Sequence, residues 1–167
     1  MGRATAIVVF SAAMMLASAA GSGSVSGTDD ASLTRLALCQ DSWLDWKDHP
    51  AQMKLFGDHV YAEFSRSGDN SDFVPKGTVS VAGLRVVQAF PDSVGMGVGF
   101  SLLVDAPFDK ARAIVEHALG RKLAGCEASD GMHSCELHIA EKRDVTVMAQ
   151  DNIANRTLVG CYYFYEK

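Results

Sequence analysis

Residues 95–104, Gly95-Met96-Gly97-Val98-Gly99-Phe100-Ser101-Leu102-Leu103-Val104, decide the fold class. Met96, Val98, Phe100, Leu102 and Val104 recur at every second position, while Gly95, Gly97, Gly99 and Ser101 fall between them. Side chains alternate across a pleated strand, so this is a strand with one apolar face and one nearly bare face. A bare face invites close approach by a neighbouring backbone, a helix or a ligand. The alternation runs straight through the glycines, and the stretch lacks the strand-before, helix-after setting of a nucleotide loop.

Working backwards, Pro91-Asp92-Ser93 supplies turn chemistry and Val79 to Phe90 reads as a partner strand with a bend at Gly83. Ser65 to Lys76, with Ser-Gly-Asp-Asn-Ser-Asp and Pro75, reads as a loop. Before it the period is helical. Leu33, Leu36, Cys39, Trp43, Leu44 and Trp46 fall in an arc of about 160° on a helix over 33–47, with Asp41, Asp45 and Asp48 opposite. Pro50 then opens a second helix, carrying Met53, Phe56, Val60 and Phe64. Gly57 and the strand-like alternation of Val60, Ala62 and Phe64 weigh against it.

Working forwards, residues 105–120 read as a helix with Pro107 in its first turn. Phe108, Ala111, Val115 and Ala118 to Leu119 lie on its buried side, and Gly120 is its left-handed cap. Three short strands follow: Cys135 to Ala140, Val145 to Ala149 and Leu158 to Glu166. The expected order is α-α-β-β-α-β-β-β. This is an α+β, two-layer arrangement in which an antiparallel sheet of about five strands carries helices on one face.

The chain begins with the pattern of a secretory signal peptide over 1–20: Arg3, an apolar run from Ala4 to Leu16, and small residues at 17–20. That run is roughly 13 residues, too short to span a bilayer, and Gly-Ser-Gly-Ser follows it. A flexible Gly/Ser leader over 21–32 and a single globular domain over 33–167 are expected, with no membrane span in the mature chain. About 147 residues are enough for a substantial core. The protein is therefore expected to be exported, to the periplasm of a Gram-negative cell or otherwise secreted.

Export makes the four cysteines a disulfide framework. Four cysteines allow three pairings. Spacing favours Cys126 with Cys135 across a polar loop, and Cys39 on the first helix with Cys161 on the last strand. The competing reading is a zinc set of Cys126, His133, Cys135 and His138. Its spacing matches no common finger or ribbon, and it strands two cysteines.

Composition excludes more than it identifies. With 15 basic against 20 acidic residues the chain is mildly acidic, and its cations are scattered, so no phosphate-binding stripe exists and nucleic acid is not an expected partner. No Gly-x-Ser-x-Gly, His-Glu-x-x-His, Cys-x-x-Cys or cofactor fingerprint occurs. None of the five histidines stands in a recognisable catalytic setting. Trp43 and Trp46 share the core arc of the first helix. Tyr162, Tyr163 and Tyr165 alternate along the last strand, so some must be exposed. Asn155-Arg156-Thr157 fits a glycosylation acceptor only in a glycosylating host.

The expectation is a non-catalytic module without cofactor or metal that binds another protein or an envelope component. Gly97, Gly99, Tyr163 and Tyr165 are its candidate surface, with the last strand as a recognition edge. The alternative is a small-ligand carrier or a hydrolase with a pocket beside the Gly95 to Gly99 strand.

Overall fold

Helix α1 (Asp30–Ala37) stops where its amphipathic pattern does not. Cys39 turns into the left-handed region with φ 54°. The Cys39 N–H then donates to Leu36 O at 3.2 Å and the Gln40 N–H to Arg35 O at 2.8 Å, the paired bonds of a Schellman cap. The expected helix over 33–47 thus ends at Ala37, because local closure at Cys39 overrides periodicity. In this computed structural model the described residues are 30–41, 63–67, 73–94 and 97–164. Trp43, Trp46, Tyr165, the signal peptide, most of the leader and all but the end of the expected second helix lie outside them.

Among the described residues nine strands follow where about five were expected: β1 (Phe64–Arg66), β2 (Phe73–Pro75), β3 (Ser80–Val81), β4 (Leu84–Val94), β5 (Gly97–Val104), β6 (Glu127–Ser129), β7 (Met132–Ala140), β8 (Arg143–Gln150) and β9 (Thr157–Phe164). Among the described residues the second helix is α2 (Phe108–Leu119), between β5 and β6. The observed order is therefore α-β-β-β-β-β-α-β-β-β-β. Phe64, expected on a helix, begins a strand that pairs with β2, so the expected loop over 65–76 contains sheet. The bend at Gly83 is a two-residue hairpin. Ala82 (φ 49°) and Gly83 (φ 82°) both have positive φ, the geometry that matches strand twist. The Ala82 N–H donates to Thr34 Oγ1 at 2.8 Å, which ties this hairpin to α1.

Every pairing is antiparallel, and the sheet runs β1-β2-β4-β5-β9-β8-β7-β6, with β3 beside β4. The last strand is central, not an edge. It joins the N-terminal strands, which end at β5, to the β6–β8 meander. That position answers the hydrophobic run of β9, since a strand flanked on both sides and covered by helices needs apolar side chains.

Register sets the two faces. Phe100, Cys161, Val145 and Leu137 lie across from one another, as do Leu102, Val159, Val147 and Cys135, and most of these are fully buried. Cys161 meets α1 through its disulfide to Cys39. His133, on the same side as Cys135 and Leu137, meets Phe108 of α2 with ring centroids 5.7 Å apart. Both helices therefore cover one face, with Leu33, Leu38, Ala111 and Val115 buried against it. The Gly120 cap forms as expected, at φ 64° with its N–H directed to His117 O and Glu116 O. Among the described residues no helix is long and apolar enough to cross a membrane.

Candidate functional site

The two disulfides are Cys39–Cys161 and Cys126–Cys135, with Cα atoms 5.3 and 4.0 Å apart. The second does not cross a loop. Asp130 (φ 51°) and Gly131 (φ 75°) form a tight turn between Ser129 and Met132, so Cys126 and Cys135 face each other one step beyond the Glu127–Ser134 pair. Bonded to each other, these sulfurs are neither thiolate ligands nor nucleophiles. His133 and His138 project to opposite faces, so the four residues of the zinc reading are not assembled.

The Asp130-Gly131 turn also builds a site. Gly131 O accepts the Asp151 N–H at 2.8 Å, bringing the loop after β8 against the start of β7. There His133 Nε2 and Asp151 Oδ1 lie 3.0 Å apart. The opening turn of α2 supplies Asp109 and Arg112, with Arg112 Nη2 3.4 Å from Asp109 Oδ1 and Arg112 Cζ 5.7 Å from the centre of the Phe108 ring. Arg156 enters from the loop before β9. Its Nε is 3.8 Å from Asp105 Oδ1, and Thr157 Oγ1 donates to Ala106 O at 2.8 Å to fix that loop to the entrance of α2.

These groups surround an open cleft of about 580 Å³, walled by α2, the Cys126–Cys135 hairpin and the loop from Asp151 to Arg156. Its two arginines sit deeper than the carboxylates they face. The side chains of Arg112 and Arg156 are 37% and 34% exposed, against 87% for Asp109 and 41% for Asp105, while His133 and Asp151 are 45% and 65% exposed. His133, Arg112 and Arg156 each lie within 4 Å of a carboxylate, an arrangement suited to holding a polar surface.

Of the expected surface residues, Tyr165 lies outside the described residues and Gly97, Gly99 and Tyr163 fall elsewhere. Tyr163, expected to be exposed, is buried on the helix-covered face with Arg143 Cζ 6.0 Å from its ring centre, because β9 is central. At Gly99 a Cβ would collide with the Cys161 carbonyl oxygen and lie 2.7 Å from Tyr162 Cδ1. At Gly97 it would lie 3.0 Å from the Phe164 ring. The bare face of β5 is thus occupied by aromatic side chains of β9, and the Tyr162 hydroxyl pairs with Ser101 Oγ beside it.

Further along that face, which no described helix covers, the lining changes. Phe90, Leu103, Leu158 and Met148 come from four adjacent strands, and with Met132, Ile153 and Arg156 they border a groove of about 350 Å³. None of these residues is singled out by spacing alone. The signal that leads to His133 and the cleft is Asp130-Gly131 between alternating residues, a hairpin turn sequence.

At the far end of α2, Glu116 accepts from Lys122 Nζ at 2.7 Å and from the Leu123 N–H at 3.2 Å. The Lys122 bond, chiefly, holds the Glu116 carboxyl below its ordinary range.

Comparison with known protein families, with curated proteins and with solved structures finds no match to this chain.

Proposed function

We propose that this protein is an exported, non-catalytic binding module that engages another protein or an envelope component at the cleft between α2 and the Cys126–Cys135 hairpin. The carrying observation is that three basic side chains of the cleft each face a carboxylate: His133 with Asp151, Arg112 with Asp109, Arg156 with Asp105. A catalytic base needs a proton to abstract from a positioned nucleophile or substrate. Here the cysteines in the wall are oxidised, and among the described residues His133 meets a carboxylate and no nucleophile's hydroxyl or thiol. Paired charges around an open concavity instead resemble the polar rim of an interface, where they set orientation and partner choice.

A photo-crosslinking residue placed at exposed Ala154 in the cleft, and separately at exposed Glu141 at the opposite end of β7, tests this. Envelope material should be captured from Ala154 and not from Glu141, and Arg112→Glu should suppress that capture. Equal labelling from both positions would refute the reading.

A further inference from the structure

We propose that the groove on the sheet face that no described helix covers binds an alkyl carboxylate, its chain lying on Phe90, Leu103, Met148 and Leu158 and its headgroup on Arg156. This goes beyond the cleft reading and does not depend on it. Met132 and Ile153, the large hydrophobic side chains exposed among the described residues, both stand on this groove, at 43% and 45% exposure. Its polar lining is confined to Gln150 and Arg156.

Arg156 gives the groove a chemical direction. Arg156 borders both the groove and the neighbouring cleft, and its side chain is 34% exposed. The Nε contact to Asp105, at 3.8 Å, is beyond hydrogen-bond reach. A guanidinium beside an otherwise apolar groove offers a carboxylate a charge-assisted bond that an ammonium headgroup cannot make. The ligand is an alkyl chain and not a peptide. The floor is built from paired strands whose backbone groups are already engaged in the ladder, leaving little for a peptide backbone to bond. The volume lies at the low end of ligand cavities, which suits a chain on the order of ten carbons.

The test uses the purified full-length mature protein, titrated with sodium decanoate below its micellar range while the Met132 and Met148 methyl resonances are followed by NMR. Decyltrimethylammonium supplies the same chain with the opposite charge, and acetate the headgroup without the chain. Saturable movement of both methyls is expected with decanoate, binding about tenfold or more tighter than decyltrimethylammonium, and no saturation with acetate. Arg156→Gln should erase the preference between the two amphiphiles. Equal affinity for both on the unaltered protein, unsaturable shifts, or an unchanged preference in the folded Arg156→Gln variant would each overturn the proposal.

Discussion

The two disulfides sit in opposite kinds of structure. Cys39–Cys161 closes a separation of 122 residues, and both cysteines are fully buried, one in the cap of α1 and the other on the central strand. Cys126–Cys135 closes nine residues beside a hairpin already held by its ladder, with Cys126 exposed. The long bridge fastens the first helix to the strand that joins the two halves of the sheet. The short one stiffens a wall of the cleft. One acts on whether the domain holds together, the other on the shape of a surface.

The largest effect should come from removing the long bridge. In the chain-entropy model it contributes about 4.9 kcal/mol, a large share of the ~5–15 kcal/mol by which a domain is stable. Cys39→Ala with Cys161→Ala should therefore lower the urea midpoint sharply. A midpoint equal to that of the unaltered protein would break the contrast drawn above.

Removing the short bridge should cost less, up to about 2.7 kcal/mol in the same model, because the ladder keeps the hairpin registered. Cys126→Ala with Cys135→Ala should leave a cooperative transition. It should also raise amide exchange around Glu127 to Ser134 while leaving β9 protected. If exchange rose equally in both places, the short bridge would be a global fastener after all.

The smallest effect sharpens the same contrast without touching a sulfur. Glu116 holds Lys122 and the Leu123 N–H, steadying the chain as it leaves α2 for the hairpin. Its carboxyl is held low in the folded state, so its contribution is complete above the ordinary carboxylate range and is lost as pH falls through the lowered folded value. Glu116→Gln should cost under about 1 kcal/mol near neutrality, and the difference from the unaltered protein should vanish in acid. A gap that widened on acidification would contradict this sign.

How much of this was legible depends on the kind of signal. Helix α2 announces itself, since Pro107 opens it and Gly120 closes it in the left-handed region, where glycine has no steric penalty. The end of α1 does not. The same cap forms around Cys39, a residue that carries no such preference, so the amphipathic pattern reads on past it. Asp130-Gly131 was readable as a hairpin turn, and taking 126–135 as a loop hid β6 and the placement of His133. The cleft and groove were not legible, because Arg112, Asp151 and Arg156 come together only when β9 lies beside β8 and the loop before it meets α2.

Local chemistry written in the chain determined the alternating strands, α2 and its cap, and the Cys126–Cys135 pair, because each depends on neighbours within about ten residues, and with four cysteines that pair leaves Cys39 to Cys161. Tertiary structure alone decided that the final strand is central, that Tyr163 is buried and that Tyr162 fills the space beside Gly99. Strand neighbours are chosen by the pairing and burial gained across the whole sheet, a quantity that no short window of sequence contains.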